Sequence, residues 1–453
     1  MQSCWKKNKY STIAISIIVL ILVFQGLKLK HYSSNYIIRN DAVSYYAYLP
    51  AAFIYNDLSF KFVSDLPDDF PGDIWTHTSP NGKQTLKMTM GVAVLNLPFF
   101  IFTHIAALIF KLDPNGYSAP YQLSILLSAI FYLFLGLLFL RKILLSYFSD
   151  IIVAVTLLAT VLATNLYYYT LVEPGMSHVY SFFLFSGFLY YTINWYSKAN
   201  WNNSILLGLF LGLIILVRPT NALIVIIFLM YGKEPIRDQL GKLWKEKFGI
   251  ITIVIVAFLI VFLQLIYWKF STGEWIYYSY GKERFFFNNP EIINGLFSYR
   301  KGWLIYTPIM IFTVIGFAFL RKKVPELFLS ILIYFILNLY VIFSWWCWWY
   351  GGSFGARPLI ETYALLSIPL ASFINLISKK TNYIRVISLL VLCFFIYLNL
   401  FQSRQYRTSQ IHWDSMSKGL YWENFLDENW PENYKELLDP PDYESALQGR
   451  KTD

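Results

Sequence analysis

The residues of this chain that could do chemistry fall in a handful of short stretches. RNDAVSYYAYLPA, residues 39–51, sets one carboxylate, Asp41, among Tyr45, Tyr46 and Tyr48. On a helix Asp41, Tyr45 and Tyr48 share a face at i, i+4 and i+7, so a carboxylate would stand beside aromatic rings. YYYTLVEPGMSHVYSFF carries Glu173 just before the Pro174 and Gly175 turn, with His178 opening the segment that follows. ILVRPTNAL plants Arg218 in an otherwise apolar run, and a guanidinium's planar fork matches phosphate oxygens. SWWCWWYGGSFGARP packs four tryptophans, Trp348 and Trp349 among them, into five residues ahead of Gly351, Gly352, Gly355 and Arg357. Aromatic faces stack on sugar rings, and glycines let backbone approach a ligand closely. Each stretch also has a plain reading: a solvated loop charge, a helix-start carboxylate, a snorkelling arginine, or interfacial anchors.

What must position these groups is a bundle in lipid. Of 453 residues, 57% are hydrophobic, 20% aromatic and only 14% charged, where an ordinary soluble domain has roughly 25% charged. Continuous apolar runs of about 18 residues or more read as membrane-crossing helices. Their continuity excludes the alternating segments of a membrane β-barrel. The fold class is therefore all-α and polytopic. Spans are expected at 11–29, 121–140, 151–169, 178–197, 203–217, 219–232, 248–268, 302–320, 325–343, 359–378 and 385–401, about eleven in all. The two spans flanking Arg218 and Pro219 could instead be one helix kinked at the proline.

The run 90–110 is apolar but holds Asn96, Pro98, Thr103 and His104. Such residues suit an element that dips into the membrane and returns, which makes 30–120 one large outer loop. Lys6, Lys7, Lys9, Arg141, Lys142, Lys198, the run GKEPIRDQLGKLWKEK, Arg321, Lys322, Lys323, Lys379, Lys380 and Arg385 then all share one side. That side is cytoplasmic by the positive-inside rule, and the N-terminus lies there. The first apolar run resembles a signal peptide, but Lys28 and Lys30 follow it and no A-x-A-like site does, so an uncleaved helix is expected. The transmembrane domain takes in 1–401 and leaves 402–453 as a tail. From Thr408 on the tail has ten acidic residues against four basic, with Trp413, Trp422 and Trp430; it would either cap the outer loops or be weakly ordered.

The net charge of +10 sits at span ends, the pattern of membrane orientation and not of nucleic-acid binding. Cys4, Cys347 and Cys393 are too few and too far apart for a disulfide framework or a metal site. There is no glycine motif for a nucleotide, and no inverted pair of broken helices of the transporter kind. The outer face collects Asp41, Lys83, Lys87, Glu173, His178, Arg218, Arg284 and Arg357 together with the tryptophan run. One chemistry uses carboxylates, cations and aromatics at once: moving a group from a lipid phosphate to an acceptor. The carboxylate takes the acceptor's proton, cations stabilise the departing phosphate, and rings hold the sugar.

Three patches, DAVSYYAYLPA, GKQTLKMTMGVAVLNLPFF and LVEPGMSHVYSFF, resemble the outer-loop motifs of the multi-spanning GT-C glycosyltransferases. The likeness is to the branch of protein O-mannosyltransferases and lipid A aminoarabinose transferases, over roughly residues 1–310. Two departures stand out: Asp41 lacks the second adjacent acidic residue of many relatives, and position 173 is glutamate, not aspartate. The resemblance implies a GT-C-like bundle, a polyprenyl-monophosphate sugar donor and inversion at the sugar carbon. It implies Asp41 as the general base or the group that orients the acceptor, Glu173 as a supporting carboxylate, and Lys83, Lys87 and Arg218 as candidate phosphate binders. His178, Arg284, Arg357, Trp348 and Trp349 complete the expected substrate-binding set. No cofactor is assigned, and Asp41 and Glu173 could bind a divalent cation through oxygen ligands. The partners expected are the lipid-linked donor, membrane lipids, and a glycan, lipid or protein acceptor in a bacterial-type inner membrane and cell envelope. A flippase for lipid-linked saccharides is the alternative from another class, and a family member that only binds such lipids is a third.

Overall fold

A computed structural model describes residues 8–67 and 70–450; Cys4, Lys6 and Lys7 lie outside the described residues. The chain is almost entirely helical, and its two short strands, His77–Thr78 and Gln84–Thr85, pair antiparallel with His77 opposite Thr85. The long helices are α1 (Lys9–Leu29), α2 (Gly91–Ile109), α3 (Ala119–Leu145), α4 (Asp150–Leu162), α5 (Ser177–Ser197) and α6 (Trp201–Val217). They continue with α7 (Lys247–Thr272), α8 (Met310–Lys323), α9 (Pro325–Phe343), α10 (Tyr363–Ile377) and α11 (Asn382–Arg407). Among the described residues seven helical stretches are long and apolar enough to cross a membrane: α1, α2, α3, α7, α9, Arg357–Ile377 and α11. The protein is thus a multi-pass, all-α membrane protein.

The reason is the solvent. In hydrocarbon a backbone must satisfy its polar groups internally, and a long apolar run does so as a helix. Boundaries follow local chemistry. Asn200 caps α6 by accepting from the Asn203 amide at 2.9 Å. Pro325 opens α9 at a position where its missing N–H costs nothing. Gly273, with φ of 85°, ends α7 in the left-handed region that few other residues tolerate. Between helices, Gly208 and Gly212 of the GLFLG run let α6 lie directly against α7. A Cβ at Gly208 would meet the Ile253 carbonyl at 2.7 Å, and one at Gly212 would meet Ile260 at 2.8 Å. Small residues four apart are how membrane helices approach this closely.

The bundle has two unlike ends. At one, Arg141 of α3 donates to Ser11 Oγ of α1 at 2.7 Å, and the Ser11 amide reaches Asp150 of α4 at 3.1 Å. At the other, the Ile37 and Ile38 amides both donate to Gln122 Oε1 at 2.9 and 2.8 Å. Helices α1 and α3 are therefore antiparallel, and the chain between them leaves and re-enters at the same end. Helix α2 is continuous across Pro98, and its His104 meets Tyr121 of α3 at 2.6 Å. After α6, Pro219–Ile224 forms a 3-10 turn and Val225–Leu229 a short helix. Tyr196 at the end of α5 donates to the Phe228 carbonyl at 2.8 Å. Both the start of α6 and residue 228 thus lie by the end of α5, so the chain reverses at Arg218 and is not one kinked helix. The tail folds back on the loop end: Gln405 donates to the Asn424 carbonyl at 2.7 Å and Asn289 to the Gly449 carbonyl at 3.0 Å.

Candidate functional site

A cavity of about 910 Å³ opens at the loop end. Four loops and the tail wall it, and the sequence dictates how each delivers its side chain. Asn40, with φ of 51°, turns the chain into the short helix Asp41–Tyr46. The tyrosines divide the labour there. Tyr46 donates to the Gly116 carbonyl and Tyr48 to the Met88 carbonyl, each at 2.6 Å, anchoring the helix. Asp41 and Tyr45 are left to line the cavity. Tyr48 opens the next short helix, Tyr48–Phe53, and anchors it without facing the cavity beside Asp41.

Asp41 Oδ2 accepts from Arg357 Nη2 at 3.0 Å, and among the described residues nothing donates to its Oδ1. Glu173 stands nearby at the turn before α5, where Tyr168 donates to it at 3.3 Å. Burial raises the Glu173 carboxyl above the usual range, against the pull of Arg357 and Arg39. One wall further on, Lys87 pairs with Glu283 at 2.5 Å, and Trp346 Nε1 donates to the same carboxylate at 3.2 Å. The loop bearing Glu283 is tied back by Ser279 Oγ, which donates to the Lys87 carbonyl at 2.6 Å.

The third cluster is the most buried. Glu361, 1% exposed at the start of the Arg357–Ile377 stretch, accepts from Arg218 Nη1 at 2.9 Å. Both its oxygens lie 3.3 Å from Nδ1 of His178. Arg218 is thus held by a carboxylate, not snorkelling toward water. The cavity lining accordingly sets Asp41, Glu173 and Glu283 against Arg39, Lys87, Arg218 and Arg357, and Glu361, buried behind Arg218, supplies the fourth negative charge. Balanced charge in a poorly solvated place is the arrangement that survives desolvation.

Of the residues singled out from sequence, Asp41, Lys87, Glu173, His178, Arg218 and Arg357 come together around this cavity. Four do not. Lys83 donates instead to the Phe270 carbonyl at 2.9 Å. Arg284 lies over the Phe286 ring at 4.9 Å. Trp348 and Trp349, 3% and 1% exposed, pack edge-to-face in the protein core. Their neighbours Trp345 and Trp346, with Trp413 of the tail, face the cavity in their place. The irregular path of the loop, invisible in a run of identical residues, decides which tryptophans turn outward. Sequence reasoning passed over Glu361, Glu283 and Arg39. Glu361 had a signal: it is an acidic residue within the expected span 359–378, and an ionisable group at membrane depth is costly enough to demand a reason.

Among the described residues no three His, Cys, Asp or Glu groups converge to hold a metal ion. Fold and site together define a multi-pass membrane protein with one charged, aromatic-lined cavity at the loop-rich end of its bundle. No family model matches the chain, and no curated protein matches it.

Proposed function

We propose that this protein is an integral-membrane glycosyltransferase of the GT-C type, moving a sugar from a polyprenyl phosphate to an acceptor outside the membrane. The observation that carries the reading is the meeting of Asp41, Glu173, Lys87, Arg218 and Arg357 around one cavity. The topology is in keeping with it. If the chain crosses about eleven times and 90–110 only dips in, as we propose, Arg141, Lys198, Lys242, Arg321 and Lys379 lie at the end opposite the cavity, which is then cytoplasmic.

In this reading Asp41 accepts the proton of the acceptor hydroxyl while the acceptor oxygen forms its bond to the sugar's anomeric carbon. The carbon–oxygen bond to phosphate breaks, and the electron pair leaves with the polyprenyl phosphate. Attack opposite the leaving group inverts the sugar carbon. Lys87 and Arg357 neutralise the departing charge, and they act strongly because the cavity is poorly solvated. Arg357 fixes one oxygen of Asp41 and leaves the other for the acceptor. Glu173 balances Arg357 and Arg39, and Trp345, Trp346 and Trp413 offer faces for the sugar and the first prenyl units.

Membranes carrying the wild type or Asp41→Asn, given a panel of radiolabelled polyprenyl-phosphate sugars, test this directly. The expected result is label leaving the lipid with the wild type alone. Equal consumption by Asp41→Asn overturns the assignment of the base. Labelled lipid that changes leaflet without being consumed replaces the transferase with a flippase.

A further inference from the structure

We infer that His178, Asn338 and Arg218 form a recognition site for sugar hydroxyls, not for the phosphate, with Glu361 as the residue that positions it. The inference deepens the transferase reading and rests on it only for the identity of the donor.

The argument starts from unpaired atoms. His178 lines the cavity and its Nε2 is buried without a protein partner. Asn338 of α9, 6% exposed, also lines the cavity, and its Nδ2 likewise has no partner. Asn338 stands one helical turn beyond Tyr334, which is within electrostatic reach of both Glu361 and Arg218. Two orphaned polar atoms in a native interior call for a ligand, because a buried donor or acceptor left unmet keeps its full desolvation penalty. Arg218 spends one nitrogen on Glu361 and donates with its others to no described residue.

The kind of ligand follows from proton bookkeeping. A carboxylate only accepts, so the imidazole nitrogen facing both Glu361 oxygens must carry a proton. Glu361 already balances the fixed charge of Arg218, so a second proton on His178 would leave an uncompensated buried charge. Neutral His178 therefore presents a lone pair on Nε2, while Asn338 Nδ2 and the free guanidinium nitrogens present donors. A phosphate oxygen has nothing to give that lone pair. A hydroxyl does: it donates to His178 and accepts from Asn338 or Arg218. Mixed donors and acceptors fit a polyol, whereas an all-donor cradle fits an anion. Lys87 and Arg357 remain for the phosphate.

The test compares two probes on the purified full-length protein by calorimetry: a panel of methyl hexopyranosides and pentopyranosides, and a short-chain polyprenyl phosphate without sugar. The variants are His178→Leu, His178→Gln and Asn338→Ala; the last removes an unpartnered donor, so the fold has least to lose. A wild-type preference for one glycoside, weakened about tenfold or more by His178→Leu and Asn338→Ala, is expected. His178→Gln should restore part of it, and polyprenyl phosphate affinity should stay within about twofold throughout. A fall in polyprenyl phosphate affinity in Asn338→Ala or His178→Leu, with glycoside binding intact, overturns the inference. So does a wild type that consumes a lipid-linked donor yet binds no glycoside. If glycosides bind and the variants lose them while polyprenyl phosphate does not bind at all, the hydroxyl site stands and the lipid-phosphate donor falls.

Discussion

The two ends of the bundle handle charge in opposite ways. At the end of Arg141, Lys198 and Arg321 the charge is mostly of one sign and reaches water or backbone. The pair between Lys233 and Glu326 there is 3.8 Å long and largely exposed on the lysine side. At the cavity end both signs meet at 2.5 to 3.0 Å in partly or wholly buried pairs. The first arrangement orients a chain in a membrane and asks little of any one residue. The second pays desolvation at every charge, which a fold needs only where the charges have a task.

That contrast is broken most directly by activity. Asp41→Asn keeps shape and removes the proposed base, and should lower the proposed transfer rate by about 10²–10⁴-fold. Arg357→Gln, which frees Asp41 from its partner at 3.0 Å, should fall in the same range. Arg321→Gln or Lys322→Gln at the opposite end should stay within about twofold, since exposed charges couple weakly to anything distant. Initial rates of label transfer in membranes of matched protein content decide the matter. A basic-end variant as damaging as Asp41→Asn would dissolve the distinction.

Stability sharpens the same contrast. Glu361→Ala leaves Arg218 and His178 facing an empty place at the cavity floor, a loss of about 3–5 kcal/mol for a buried pair broken on one side. Glu361→Gln should lose less because the amide still accepts from one partner. Thermal melts in detergent should rank wild type, Glu361→Gln and Glu361→Ala in that order. Adding Arg218→Met to Glu361→Ala should recover part of the loss, as coupled neighbours do. A double variant whose loss equals the sum of the singles would mean that the two residues do not act as a pair.

The sequence made the bundle legible and the site only half so. Long apolar runs announce themselves, and the sign of the loops orients them, because lipid imposes those rules locally. The polar residues Asn96 and Pro98 suggested an element that dips in and returns, whereas 90–110 holds one continuous helix, α2, long and apolar enough to cross. Asp41, Glu173, Arg218 and Arg357 stood out because a charge among apolar neighbours is conspicuous. What stayed hidden was pairing. That Arg218 meets Glu361 across 143 positions, and Arg357 meets Asp41 across 316, depends on how distant helices pack. The facing of Trp345 against Trp348 was hidden for a related reason: an irregular loop has no fixed period from which to read it.

Lys301 gives a prediction in pH. It is 2% exposed, donating to the Ser353 carbonyl and, at 3.5 Å, to that of His412. Burial pulls its ammonium down to about 7 from an ordinary 10.5, opposed by Asp414. Between those values the unfolded chain holds a proton that the folded chain has released, so folding stability gains from this group as pH rises from 7 toward 10.5. Below 7 both states are protonated and the full cost of burying a cation is felt. Lys301→Met removes the titration. The melting temperature of wild type relative to Lys301→Met should therefore climb between pH 6 and 9, and a flat difference would mean that the lysine keeps its proton in the fold.

The smallest effect is expected within the cavity end itself, where position alone should decide. Arg404 holds Glu428 at 2.7 Å, the geometry of a strong pair, but both side chains are more than half exposed. Water and salt already solvate such charges, and holding two long side chains in one pose costs entropy, so the pair contributes about 0–1 kcal/mol. Arg300 serves the same tail from a buried position, donating to the Asp414 and Asp439 carbonyls at 2.8 and 2.6 Å and to the Asp439 carboxylate at 3.0 Å. Arg404→Ala should leave the melting temperature and the protease resistance of residues 408–450 nearly unchanged, while Arg300→Ala should release the tail to proteolysis. If Arg404→Ala frees the tail as readily, surface pairing holds the cap, and burial is not what separates working charge from idle charge at this end of the molecule.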